Sequence, residues 1–596
     1  MINLKNSAFG LAIIACASLP AVAKAQADSA KSAGSKEWIK KSNSYTKMLL
    51  DIDIKYSPET GSQQGLAYFD TLITVPTLAN DIAQRKEREN VVALFKAAKL
   101  KETNVALKQD LDILINQTEL GFRQSDFYLN KEVPFLNAAG TVYGGLQTLL
   151  DDQTPVERRP SSVIRLREYA GLVKGYEPTT AILQRRTQEQ MNKPGIIYPG
   201  KQEMEVALSR NASIISGIEE LFKKYKITGW EQPFAIIKKQ LEDYDAWLKA
   251  NVLPKARTDF KLPPEEYKLN LEGYGIDIPP AELAKMAHAA FTSIQNQMKP
   301  LAAQIAKKYN LPSSDYRDVI KFLKKDQIIG DSIMPLYKRH LADIEIIIRQ
   351  HHLVTLPDRP AIIRLATEAE TAQLPAPHMV PPPFLNNTGE RGVFVLPLNM
   401  PTPPGEKADK YDDFTFDAAS WTLIAHEARP GHELQFDKMV EEGVSQARAL
   451  YAFNSTNVEG WGLYSEYITL PYMPIEGQLV SLDYRLLRAA RAFLDPELQA
   501  GIVNQQQTLD LLMNDVVQSH AFAKEEVERF SLNSPGQANS YFYGFTKMIA
   551  LRKDTEKILG DKFNQQHFHD FILSQGILPP ALLREAVMTD FVVREK

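Results

Sequence analysis

Cysteine is nearly absent: Cys16 is the only one in 596 residues. A chain with one thiol forms no internal disulfide and no thiolate metal site. Long apolar runs are also missing. After residue 27 none reaches the roughly 20 residues that a membrane helix needs. Positive charge is not in excess, because 69 Lys and Arg face 73 Asp and Glu. The resulting net charge of −4 and pI near 6.3 give no basic footprint for nucleic acid. No G-x-S-x-G elbow occurs, which sets aside a serine hydrolase of that type. None of the ten histidines has a glutamate three residues before it, which argues against a ferritin-like di-iron site. No internal repeat of fixed period is present.

The first residues read as an export signal over 1–27. Lys5 supplies the positive start, residues 8–17 a short apolar stretch, and Ala21-Val22-Ala23 and Ala25-Gln26-Ala27 small residues for cleavage. The expected location is the periplasm. Ile13-Ile14-Ala15-Cys16 also resembles a bacterial lipoprotein signal, so the alternative is a membrane-anchored lipoprotein lipidated at Cys16. Residues 28–40, rich in Ala, Ser and Lys, read as disordered.

The rest is expected to be mainly α. Residues 28–255 read as an N-terminal helical region and 256–596 as a catalytic region, the two forming one continuous two-lobed body. Apolar residues recur at helical spacing in Val91-Val92, Leu94, Phe95 and Ala98, and in Leu107, Leu111, Leu114 and Ile115. Breaks are expected at Pro134, at 140–145 and at 192–200. Pro264 and Pro280 stand where a helix can open, each with glutamates near its positive end. Prolines at 375, 377, 381–383, 397, 401, 403 and 404 exclude regular helix there. Within that stretch Gly392 to Leu398 reads as a short edge strand able to pair with an extended peptide.

The chemistry concentrates in His426-Glu427-Ala428-Arg429-Pro430-Gly431-His432 and the later Glu459-Gly460-Trp461-Gly462-Leu463-Tyr464-Ser465-Glu466. A one-metal hydrolase needs three protein ligands, an open position for water, and a carboxylate beside that water. Histidines four apart on a helix reach one ion, but these are six apart, roughly 120° around an ideal helix. Pro430-Gly431 supplies the needed distortion, since proline breaks the helical ladder and glycine accepts unusual backbone geometry. Asp417 reads as the N-cap of the helix carrying His426. Glu459, beginning a second helical stretch, can be the third ligand, and Glu466, seven residues on, can orient a histidine. The other histidines, His351, His352, His567 and His569, read as structural.

These residues resemble a bacterial family known as domain of unknown function 885. The resemblance extends to Ser534-Pro535-Gly536-Gln537-Ala538-Asn539-Ser540-Tyr541-Phe542-Tyr543-Gly544, to Arg491-Ala492-Phe493-Leu494-Asp495-Pro496 and, more weakly, to 262–283. It implies an α-helical zinc metallopeptidase similar to thimet oligopeptidase and angiotensin-converting enzyme. Such a fold is two-lobed with a deep cleft and a short β edge near the metal. On this reading His426, His432 and Glu459 hold one Zn²⁺ and Glu427 activates water against a peptide bond. Tyr541 or Tyr543 hydrogen-bonds the oxyanion, and Arg488, Arg491 and Arg552 are candidates for a substrate carboxylate. Gln499 stands where many relatives carry a histidine, and Glu433 where many carry another, so neither position is given a metal or catalytic role. The alternative function is a non-catalytic extracytoplasmic peptide- or metal-binding protein.

Overall fold

The computed structural model describes residues 19–398 and 409–596, with side chains from Glu37 onward. Cys16 and residues 1–18 of the export signal lie outside the described residues, as do Pro401, Pro403 and Pro404. The described chain is mainly helical with one small sheet. No described helix is long and apolar enough to cross a membrane.

Helices start where the local chemistry invites them. The Thr77 side chain accepts from the Asn80 amide to open helix Leu78–Lys101, and Asn104 accepts from Leu107 to open Val105–Lys131. Val91, Val92 and Phe95 bury one face of the first, and Leu107, Leu111, Leu114 and Ile115 one face of the second. Leu94, expected on the buried stripe, is exposed instead. Pro264 and Pro280 each occupy the first position of a helix, Pro264–Gly273 and Pro280–Tyr309.

Three local expectations are corrected. Residues 28–40, expected to be disordered, fall within helix Leu19–Tyr56. Residues 140–145 do not break the chain but lie in helix Ala138–Gln147, where the absence of a Cβ at Gly145 admits the Tyr169 hydroxyl. The expected edge strand is a central one. The sheet has strands β1 (Ile362–Leu365), β2 (His378–Val380) and β3 (Val393–Leu396) in the order β1-β3-β2. β3 pairs parallel with β1 and antiparallel with β2, and all four of its residues are buried. Pro397 falls just beyond the ladder, so it imposes no edge. The edge on the site's side is β2, which lies against the turn that carries His426.

A large apolar core is built mostly from residues 267–592 and includes Phe394, Trp461, Tyr464 and Phe568. A second is built from residues 73–252 together with Ala369 and Ala372. The helices bearing the histidine and glutamate motifs run through the first, which fixes their side chains in one arrangement.

Candidate metal centre

His426 and His432 do not share a helix. A helix opens at Asp417, widens into a π-turn over Ile424–Ala428, and ends. Its N-cap is Phe416; Asp417 is the first helical residue and pairs with Arg339 and His340 instead. Arg429 is extended at φ −126° and ψ 133°, the conformation favoured before proline. The Arg429–Pro430 peptide is cis. His432 then opens a new helix, His432–Glu442. Gly431 makes the return possible, because a Cβ there would lie 1.8 Å from the His426 carbonyl oxygen. The Trp461 indole N–H donates to the Pro430 carbonyl at 2.9 Å and ties the break to the next helix.

That helix, Ser455–Thr469, is capped by Asn454, whose side chain accepts from the Asn457 amide at 2.8 Å. Glu459 therefore sits one turn inside it rather than at its start. One oxygen of Glu459 lies 3.3 Å from His426 Nε2 and 3.4 Å from His432 Nε2. The two imidazoles meet nearly at right angles with ring centres 4.7 Å apart. Donors bound at about 2.0–2.1 Å to a tetrahedral ion stand about 3.3–3.4 Å from one another; the two Glu459–imidazole distances match that spacing, and all three ligand atoms lie within 4.8 Å of one another. Among the described residues it is the one cluster of three His, Cys, Asp or Glu side chains close enough to share an ion.

Glu466 supports the cluster from behind. It accepts from His426 Nδ1 at 2.7 Å and from the Thr422 hydroxyl at 2.7 Å, which fixes the ring with Nε2 turned toward Glu459. Burial opposes charge on His426, yet the carboxylates of Glu459 and Glu466 outweigh it and raise its pKa to about 9. Burial likewise opposes charge on Glu459, but the two imidazoles hold it well below the usual carboxylate range. The electrostatics of this corner thus favour a positive centre facing the Glu459 carboxylate. Burial pushes the neighbouring Glu427 carboxyl up. Its Oε2 has no hydrogen-bond partner among the described residues.

Glu427, His432, Glu459 and Tyr541 line one cavity of about 850 Å³. Tyr541 lies parallel to the His426 ring, with centres 6.1 Å apart. Burial, then the charge of Glu459, pushes its phenol up to about 12, so it stays a hydrogen-bond donor at neutral pH. Tyr543 is placed elsewhere: its hydroxyl donates to Asp277 and it lines a different cavity. The three candidate arginines are not on the wall of the cavity that Glu427, His432 and Glu459 line. Arg488 donates to the Tyr484 carbonyl at 3.1 Å and lies 3.5 Å from Glu466. Arg491 makes a bidentate pair with Glu526 at 2.5 and 2.6 Å and sits 4.6 Å from the Tyr541 ring centre. Arg552 is bound to Glu556 and to the Tyr464 hydroxyl.

Sequence reasoning missed His378, Arg210 and Arg529, which do line the cavity. His378 comes from β2 and Arg529 from a π-turn over Arg529–Asn533. Only packing of distant segments brings them there, and no spacing in the chain announces it. Glu433, left unassigned from sequence, points away from the histidines into a buried ion cluster with Arg429 and Arg359.

Comparison with known proteins agrees on family and fold. The model of a family described as "Bacterial protein of unknown function (DUF885)" matches residues 58–587. No curated protein was found to match. Among solved structures, a "putative lipoprotein of unknown function" from Shewanella oneidensis is similar at 19% identity and TM-score 0.69, covering 91% of this chain and 99% of its own. A "putative lipoprotein" from Colwellia psychrerythraea is similar at 17% identity and TM-score 0.72, covering 94% of this chain and 99% of its own.

Proposed function

The chain belongs to the bacterial family of unknown function DUF885, and because that membership carries no activity we propose one from the site: a zinc-dependent hydrolase of peptide bonds. The observation that carries it is the convergence of His426, His432 and Glu459 on one point, with the unpartnered carboxylate oxygen of Glu427 on the wall of the same cavity. A zinc ion held by those three residues would supply Lewis acidity toward water and a carbonyl oxygen. Glu427 takes the proton of the attacking water and returns it to the leaving amine. Tyr541 donates its hydroxyl proton in a hydrogen bond to the developing oxyanion, a contribution of roughly 3 kcal/mol. Glu466 holds His426 in the tautomer that presents Nε2. The outer edge of β2, unpaired by any strand among the described residues, pairs with an extended peptide, and His378 at its start lines the cavity that receives the reacting bond. Two lobes enclosing a deep cleft belong to the same proposal.

We also propose export, with Cys16 as the lipid attachment site; the descriptions of the Shewanella and Colwellia proteins as lipoproteins support the anchor. Loss of labelling by a palmitate analogue in Cys16→Ser would test that part.

Elemental analysis of the purified protein beside His432→Ala tests the centre. About one zinc per chain in the wild type, absent from the variant, is expected. Glu427→Gln should keep the metal and lose nearly all cleavage of a peptide library. A wild type that takes up no metal when zinc is supplied would turn the reading to a non-catalytic binding protein.

A further inference from the structure

Beside the metal cavity lies a second one of about 590 Å³, within the size range of small-ligand sites. The two share the walls formed by Phe135, Glu203 and residues 532–534. Besides Asp81, which pairs with Arg186, the second chamber gathers three carboxyls from separate elements. Glu132 follows helix Val105–Lys131, Glu203 lies in the first turn of Lys201–Lys224, and Glu266 in the first turn of Pro264–Gly273. Glu132 and Glu266 face each other within hydrogen-bonding reach.

Charge in the chamber is unbalanced. Arg186 is taken up by Asp81. Arg257 is the one guanidinium whose field reaches all three carboxyls, and it is held by the backbone carbonyls of Asp259 and Lys261. Burial pushes Glu132 and Glu203 up, and burial together with Glu132 pushes Glu266 up to about 8. Three carboxyls against one guanidinium hold a proton that an incoming cation would displace.

Acceptors without donors make the second observation. Gln190, on helix Thr179–Met191, is 3% exposed and lines the chamber. Its amide nitrogen is used, donating to the Leu129 carbonyl at 3.1 Å, while its Oε1 has no partner among the described residues. Glu266 is 8% exposed and its Oε2 is likewise unpartnered. Buried acceptors in this state are costly unless a donor reaches them. Arg186 NH1 and Arg257 Nε, also buried and unpartnered, offer donors to a carbonyl beside that donor.

We propose that this chamber is a subsite for a primary ammonium group of the substrate, either the amino end of a peptide or a lysine side chain, seated between Glu266, Glu132 and Gln190. An ammonium brings three N–H donors and one positive charge, which reaches both free acceptors and offsets one of the two uncompensated carboxylates. The proposal rests on the hydrolase reading above for its substrate, and it gives that substrate a cationic end docked next to the metal cavity.

The test measures binding apart from turnover. Tetra-alanine, N-acetyl-tetra-alanine and N-acetyl-tetra-alanine with lysine at its first position are titrated calorimetrically into the Glu427→Gln protein. At least one of the two ammonium-bearing peptides should bind tenfold or more tighter than the uncharged one, and which one does so tells the amino end from the side chain. Glu266→Gln, or Glu132→Gln should the first variant not fold, should erase that preference and leave the uncharged peptide's affinity within twofold. Equal binding of all three peptides, or a preference that survives both substitutions, overturns the subsite. Separately, the zinc-supplied wild type is assayed for cleavage of the same peptides. Selective binding without cleavage would leave the subsite standing and sink the hydrolase; cleavage without ammonium preference would do the reverse.

Discussion

Gly462 decides where the His426 imidazole can lie. The ring crosses the helix Ser455–Thr469 directly over this residue, and a Cβ would stand 2.5 to 2.9 Å from three of its atoms. Gly462→Ala should therefore push the ring off the Glu459 corner while leaving every donor in place. Glu466→Ala should loosen the same ring from the other side. Each variant is expected to weaken zinc affinity about 10- to 100-fold, the range typical for lost support of a metal ligand, as read by chelator competition. Unchanged affinity in both would mean that His426 is not a ligand. At this scale the chain was legible where chemistry is carried by spacing: His426, Glu427, His432 and Glu459 come together as their motif suggests. It was not legible where a helix phase decides. Tyr541 and Tyr543 are two apart, roughly 200° around a helix, so only one can face the cavity. The candidate arginines read as substrate ligands because sequence shows their charge but not their partners; Glu526, Glu556 and Glu466 already hold or face them.

The break between the two histidine helices is an element in its own right. Its proline and glycine announced a distortion, but not its form, because that form is set by residues far away. Arg429 is fully buried and donates to Glu433 at 2.8 Å, to Glu345 at 2.6 Å and to the Arg359 carbonyl at 2.8 Å. Arg359 in turn holds Glu433 and Asp437. The turn is thus clamped from two sides, by ions through Arg429 and by the Trp461 indole on the Pro430 carbonyl. Removing one partner of a buried ion cluster leaves unpaired charge, so Arg429→Met should lower unfolding free energy by about 3 kcal/mol or more in a denaturant titration. Trp461→Phe removes one hydrogen bond and should cost about 1 kcal/mol. Both should also weaken zinc binding, since the turn sets the distance between the two imidazoles. A destabilised Arg429→Met that binds zinc as tightly as wild type would show that the turn does not position the ligands. The strand misreading has the same origin: proline marks where a ladder ends, and only the pairing of β1 and β2 on either side shows β3 to be central.

Across the whole molecule the late helix Gln565–Ser574 is locked to the core by a histidine that must stay neutral. His569 is completely buried. Its Nδ1–H donates to the Leu353 carbonyl, and its Nε2 accepts from the Tyr464 hydroxyl at 2.7 Å. Tyr464 cannot reverse that bond, because its oxygen accepts from Arg552 at 2.9 Å. A second proton on His569 would set donor against donor beside a guanidinium. Burial is the largest cause, and the pKa falls from 6.5 to about 3. The sign follows from which state binds the proton first. The unfolded chain takes it up as pH drops below about 6.5, while the folded chain refuses it until about 3. Stability is therefore whole above 6.5 and is lost progressively between those values. By pH 5 this one group should cost about 2 kcal/mol. His569→Gln has no such proton to bind. Denaturant unfolding at pH 7 and pH 5 should show the wild type losing about 2 kcal/mol more than the variant over that interval, whatever the carboxyls contribute to both. Equal losses would place the acid sensitivity elsewhere. The sequence could offer His569 only as a structural histidine; that it anchors its helix to Leu353 and Tyr464 depends on contacts between residues more than a hundred positions apart.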